Sequence, residues 1–163
     1  MFPNRFTAIN VHNAPIAIRY PRGYTQSSVD GGFVFGKANI LNSGSAISIF
    51  VTGRMTMRAF EIMEMLNISC EIIELPTIKP LDKEAILNSA QKTKNVITIE
   101  DNVKSGGMGE AIATLLLENG INAKFKAFAL PDTPITHGTT EELDKHYGLD
   151  SASIVRYINE MSV

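Results

Sequence analysis

Apolar residues recur along this chain with two alternating periods. The run Ala46–Gly53, "AISIFVTG", is apolar almost without interruption and rich in β-branched side chains, the mark of a strand buried on both faces. Ala59, Ile62, Met63 and Leu66 follow at helical spacing and lie on one face. The pair then repeats. "CEIIEL" (Cys70–Leu75) reads as a second strand; Pro80 and Asp82 mark a helix entrance, and Ile86, Leu87 and Ala90 supply its apolar stripe. "NVITIE" (Asn95–Glu100) is a third strand, followed by a helix lined by Met108, Ile112, Leu115 and Leu116 and stopped by Gly120. "AKFKAFAL" (Ala123–Leu130) alternates as a strand should. Thr139 and Glu142 have the spacing of a capping box, so "TTEELDKHYG" is a short helix. Asp150 caps a last helix that turns Ile154, Val155 and Ile158 inward.

A short strand, "ANIL" (Ala38–Leu41), precedes this series. The predicted order is therefore β, β-α, β-α, β-α, β-α-α. Helices between buried strands imply right-handed crossovers and a parallel sheet covered on both faces. No helix separates "ANIL" from the next strand, so it is expected as an antiparallel edge. The expected fold class is α/β, three-layer, with a mostly parallel sheet and one antiparallel edge strand.

Upstream lies "NAPIAIRYPRG" (Asn13–Gly23), which sets a strand-like core of Ile16, Ala17 and Ile18 against Arg19, Tyr20, Pro21, Arg22 and Gly23. Two readings are open. The strand could simply run into a turn that Pro21 and Gly23 favour. Alternatively it delivers a guanidinium, whose planar fork suits phosphate, to an anionic ligand. The following "GYTQSSVDGG" is polar and glycine-flanked and reads as a linker. The expected division is residues 1–23, a linker at 24–32, and a domain at 33–163.

Composition narrows the classes. The 163 residues are 44% hydrophobic and 20% charged, with a net charge of −2, which is globular and carries no electrostatic footprint for nucleic acid or an anionic membrane. Cys70 is the single cysteine, so an internal disulfide and a cysteine-based zinc site are ruled out; its apolar neighbours suggest an inert buried thiol. His12, His137 and His146 are far apart and lack metal-ligand spacing, so no metal site is expected. No apolar run is long enough to span a bilayer, and "MFPNRF" is not followed by a signal-peptide core. A cytoplasmic location is the default expectation.

In open α/β sheets, ligands bind at the carboxyl ends of strands. Three predicted loops qualify: Gly53–Thr56, Glu100–Gly109 and Pro131–Gly138. The middle one, "EDNVKSGGMG", sets Glu100 and Asp101 ahead of Gly106, Gly107 and Gly109 at a helix start. Its N–H groups could hold an anion. Equally, the glycines could serve close strand–helix packing and a tight turn, with both carboxylates solvated. His137 in "PITHG" could titrate near neutral pH or sit in an ordinary polar loop. Ser43 and Ser105 lie in glycine-rich turns but in no nucleophile elbow.

Several stretches occur in a telling order: "PIAIRYPRG", "ELPTIKPLDKEAI", "KNVITIEDNVKSGGMGEAIA", "ALPDTPITHGTTEELDKHYGLD" and "SIVRYI". Together they resemble the carboxyl-terminal part of the transketolase-like thiamine-diphosphate enzymes, from about Pro15 onward. Within that family the pattern is most similar to the 1-deoxy-D-xylulose-5-phosphate synthases. The resemblance implies that residues 1–23 end a pyrimidine-binding domain and that 33–163 form a transketolase-like C-terminal domain, non-catalytic and used in assembly. It implies that Arg19 contacts the substrate phosphate, with Arg22 having the weaker claim. It further implies thiamine diphosphate and Mg²⁺ in the full-length enzyme, none bound by this chain alone, and a homodimer completed by the missing N-terminal and pyrimidine-binding parts. The isolated chain is expected to be inactive, because the family's metal-holding diphosphate motif and its activating glutamate are not in the sequence given. Split transketolases and 2-oxoacid dehydrogenase beta subunits share the "PLD" and glycine patterns, so a split-transketolase section and a docking module are the alternatives.

Overall fold

The most apolar strand of the sequence becomes the centre of the sheet. In the computed structural model, residues 15–19 and 33–161 are described. The elements run β1 (Asn39–Asn42), β2 (Ile47–Val51), α1 (Met55–Met65), β3 (Cys70–Glu74), α2 (Lys83–Thr93), β4 (Asn95–Val103), α3 (Met108–Glu118), β5 (Lys124–Leu130), α4 (Thr140–His146) and α5 (Ser151–Glu160). The sheet order is β1-β3-β2-β4-β5. β2 runs parallel to β3 and β4, and β4 parallel to β5; β1 alone is antiparallel, against β3 at the edge. The α/β class and the antiparallel edge strand are as the pattern predicts.

Alternation along the strands separates two cores. Ile47, Ile49 and Val51 of β2, with Ile72, Ile97 and Ile99, meet Ala59 and Ile62 of α1 and Ile154, Val155 and Ile158 of α5. On the other face, Phe50, Ile73 and Val96 meet Ile86 and Ala90 of α2 and Met108, Ile112, Leu115 and Leu116 of α3. Thus α1 and α5 cover one side and α2 and α3 the other, giving three layers.

The predicted caps form. Asp82 accepts the Ala85 amide at 3.2 Å, Asp150 accepts the Ser153 amide at 3.1 Å, and Thr139 and Glu142 make a reciprocal capping box. Gly120 takes a left-handed φ of 64° just past α3, where a side chain would be strained. Cys70 is buried at the start of β3, and burial pushes its thiol pKa up. At the N-terminal end of the strands, the buried Glu71 carboxylate accepts from the Ser89 hydroxyl and from Lys92 Nζ, and Ser89 joins Ser48 and Thr93. This carboxylate is paired and hydrogen-bonded, as burial demands.

Three expectations need correction. β1 lies at Asn39–Asn42, one residue later than predicted. β4 does not stop at Glu100 but continues to Val103, which pairs with Leu130 after a register shift. The polar run Asp101–Asn102 looked like loop; the neighbouring β5 supplies a partner that overrides that local preference. Finally, Ile16–Ile18 do not form a strand: residues 15–19 have no regular structure, and all but Ile16 are exposed. An apolar run without a neighbouring strand has no ladder to join. Arg22 and the linker at 24–32 lie outside the described residues, as does His12.

Candidate functional site: the carboxyl ends of the central strands

Because β4 remains a strand beyond Ile99, Glu100 and Asp101 point to opposite faces. Glu100 turns toward α3 and is buried at 2% exposure. Its Oε2 accepts the Met108 amide and its Oε1 the Gly109 amide, each at 2.8 Å. Gly107, at the N-cap position, offers no side-chain cap, so a carboxylate from the preceding strand fills that role. It also places negative charge at the positive end of the α3 dipole.

The glycines follow from this close approach. A Cβ on Gly107 would stand 2.7 Å from both Glu100 carboxylate oxygens and from the Val103 carbonyl. One on Gly109 would stand 2.6 Å from Thr98 Oγ1 and 2.8 Å from the Ala127 Cβ. Gly106 has open space but a φ of +70°, and its amide is taken by Glu110 Oε2 at 2.7 Å. The packing reading of the three glycines therefore describes the turn, while the expectation that Glu100 is solvated does not. The amides of Met108 and Gly109 already hold an anion, supplied by the chain itself.

Asp101 turns the other way, into a set of ion pairs that the sequence did not single out. Arg54 Nε donates to Asp101 Oδ2 at 2.7 Å, while Nη1 and Nη2 donate to Asp144 at 2.9 and 2.8 Å. Arg58, one turn along α1, adds a 3.0 Å bond from Nη2 to Asp144 and lies 3.6 Å from Glu61. Asp144, on α4, is buried. The Asp144 hydrogen bond is the main influence raising the Arg54 pKa; burial opposes it and Asp101 adds to it. Burial alone would raise the Asp101 carboxyl, but the hydrogen bond and charge of Arg54, with a contribution from Arg19, hold it below the ordinary range.

The structure thus divides the expected site residues. Glu100, Gly106, Gly107 and Gly109 come together as a closed turn. Asp101 joins Arg54 instead, and Arg19, exposed at the end of the segment 15–19, acts on it electrostatically. His137 lies in the exposed stretch 132–142 and belongs to neither set. Arg54, Arg58 and Asp144 were missed. Two arginines at i and i+4 beside the Gly53 turn were the available signal, since that spacing puts both on one helix face; Asp144 carries no local mark.

Among the described residues, no three histidine, cysteine, aspartate or glutamate side chains converge as a metal site. With the turn amides occupied as well, the described residues do not fit a metal-bound diphosphate group.

The model of the transketolase C-terminal domain matches residues 36–154. This chain belongs to that family. The 1-deoxy-D-xylulose-5-phosphate synthase of Caldanaerobacter subterraneus subsp. tengcongensis is 40% identical over 146 residues, which is 86% of this chain and 24% of the synthase. The putative transketolase C-terminal section of Methanocaldococcus jannaschii is 36% identical over 165 residues, covering 96% of this chain and 51% of that protein. Among solved structures, a split-gene transketolase described as an inactive beta4 tetramer aligns with a TM-score of 0.74 at 28% identity, over 86% of this chain and 46% of that one. A transketolase from Campylobacter jejuni, 16% identical, shares the fold with a TM-score of 0.58 over 82% of this chain and 20% of its own. This transketolase C-terminal domain therefore spans about a quarter of the synthases and about half of the split-type sections. Among its described residues no helix is long and apolar enough to cross a membrane.

Proposed function

We propose that this chain serves as the non-catalytic, assembly-supporting C-terminal domain of a thiamine-diphosphate-dependent transferase of the 1-deoxy-D-xylulose-5-phosphate synthase type, which joins pyruvate to glyceraldehyde 3-phosphate. The observation that carries this reading is the match to the Caldanaerobacter synthase, over 86% of this chain but 24% of that enzyme. In this reading thiamine diphosphate and Mg²⁺ are held by the N-terminal and pyrimidine-binding parts, in a cytoplasmic homodimer. Arg19 reaches the substrate phosphate from the boundary between domains, with Arg22 secondary, and the β4–α3 turn is a structural support. A cofactor that carries the hard chemistry must be bound and oriented by the protein, a task this reading gives to the parts that the match to the synthases leaves outside this chain.

A second reading, the C-terminal section of a split transketolase, is favoured by the Methanocaldococcus section and by the split-gene structural relative.

Reconstitution separates the two. The chain is combined with synthase-type or transketolase-type N-terminal and pyrimidine-binding parts, and product is identified by mass. Deoxyxylulose phosphate from pyruvate and glyceraldehyde 3-phosphate supports the first reading; ketol transfer between sugar phosphates supports the second. For the chain alone, titration calorimetry with thiamine diphosphate and Mg²⁺ is expected to show no saturable heat. Saturable binding would overturn the assignment of cofactor binding to the missing parts.

A further inference from the structure

β2 and β4 are neighbours in the sheet, yet the chain leaves β2 toward β3 on one side and β4 toward β5 on the other. That reversal is the topological switch point, where open α/β sheets bind ligands at the carboxyl ends of their strands. Here the place is filled from within. Arg54, in the turn after β2, and Arg58, one turn further, aim three N–H donors at the Asp144 carboxylate, at 2.9, 2.8 and 3.0 Å. Two guanidinium groups converging on one carboxylate are an arrangement suited to an oxyanion ligand. The anion in this case is a side chain of the same molecule.

The element that carries this carboxylate is weakly seated otherwise. Between Phe128 and Leu149, Asp144 is the only buried residue, and residues 132–142 are all exposed. Leu143 and Tyr147 are half-buried. The Thr139–Glu142 capping box and the amides of Leu143, Tyr147 and Leu149 bond within the stretch 139–149 itself. Asp144 instead reaches out to α1. A buried carboxylate must be paired, so α4 is seated by an ionic contact more than by apolar surface.

We propose that residues 131–147 form an ion-latched strap with Asp144 as its internal ligand, and that lifting the strap turns Arg54 and Arg58 into a binding site for an oxyanion, a carboxylate or a phosphate. Arg54 Nε bonds Asp101 at the end of β4, outside the strap. That bond keeps the guanidinium aimed while Nη1 and Nη2 are released. The closed strap is autoinhibitory: an external anion must displace a tethered one, so its apparent affinity falls with the fraction of molecules whose strap is open.

Native-state hydrogen exchange of the wild-type chain reads the lifting without any variant or activity. The amides of Leu143 and Tyr147 should be protected at least about tenfold less than those of Ala59 and Ile62 in α1, through a local opening. Arg58→Gln removes one of the three bonds; it should lower that protection further and leave Ile97 and Ile99 unchanged. Equal protection in α4 and α1 would mean that the strap opens only with the whole domain, and overturns the proposal. The ligand site is read from the Nε–Hε NMR signals of Arg54 and Arg58 in Asp144→Asn, which keeps the side-chain shape and drops the charge. Acetate and inorganic phosphate are titrated separately against chloride at equal ionic strength. A saturable shift is expected in this variant, and in the wild type only at about tenfold higher anion or more. It should vanish when Arg54→Gln is added to Asp144→Asn. The anion that binds more tightly tells whether the site takes a carboxylate or a phosphate. No saturable shift with either anion, or one that survives Arg54→Gln, overturns the site.

Discussion

Arg54 and Asp144, 90 residues apart in sequence, meet as a two-pronged ion pair with nitrogen–oxygen distances of 2.9 and 2.8 Å. The pair ties the start of α1 to α4, a helix of only seven residues that packing alone would hold weakly.

Asp144→Ala should therefore destabilise the domain more than any single substitution of its partners. It removes the shared acceptor and leaves two arginines facing each other. Breaking a buried pair costs about 3–5 kcal/mol; the low end is expected because the arginines retain some contact with water. Arg58→Ala, which removes a single bond to Asp144, should cost about 1 kcal/mol. Urea denaturation of the two variants checks the order. Equal losses would mean that Arg54 does not dominate the pair.

Gly107→Ala and Gly106→Ala should fail in different ways. At Gly107 a methyl group meets the Glu100 carboxylate and the Val103 carbonyl, and overpacking of this kind costs about 1–3 kcal/mol. It should also push Glu100 off the α3 amides. At Gly106 the space is open and the φ of +70° is the obstacle, at about 1–2 kcal/mol. Amide hydrogen exchange distinguishes them. Faster exchange at Met108 and Gly109 is expected in Gly107→Ala and not in Gly106→Ala.

Acid should weaken the domain through a defined set of carboxylates. Burial by itself would raise Asp101, Asp82 and Asp150. It is outweighed at Asp101 by Arg54, at Asp82 by the Ala38 and Ala85 amides, and at Asp150 by Ser153. All three sit below their unfolded values. Their contribution is complete above the unfolded pKa of about 3.9 and is lost as pH falls through the folded values. Thermal melts should be nearly flat in this respect from about pH 5.5 upward and fall steeply below about pH 4. Asp101→Asn should melt earlier at neutral pH and show a shallower acid slope.

Removal of residues 1–32 should leave the fold intact. Both cores are built from residues at and beyond Ala38, and residues 15–19 add no strand to the sheet. The shortened chain should keep its far-UV circular dichroism, with Ile97–Ile99 strongly protected from exchange in both forms. In the longer chain Ala17 and Ile18 should exchange fast. Unfolding of the shortened chain would move the domain boundary upstream.

The layers were legible because they are written locally. Period-2 and helical patterns, Asp82, the Thr139–Glu142 box and Asp150 each depend on neighbours a few residues away. The antiparallel edge could be read from a missing crossover helix. The site was less legible for the opposite reason. Whether Glu100 faces water or the α3 amides depends on how far β4 continues, and that depends on β5, more than twenty residues later. Arg54 and Asp144 have no shared pattern at all. Ile16–Ile18 show the converse case: β propensity is present, but among the described residues no strand lies beside it.

The placement of α5 on α1 bears on how the protein is made. Translation delivers the strands in the order β1 to β5, yet the side of the sheet carrying Ile49 and Ile97 is closed by Ile154, Val155 and Ile158. A nascent chain released only as far as α4 would own a complete sheet with one oily side covered by α1 alone. Residues emerge at about 5–20 per second during synthesis, so this interval is brief, but it is when a chaperone or a neighbouring nascent chain would find a surface to bind. A nonsense mutation just before Ser151 would make that interval permanent.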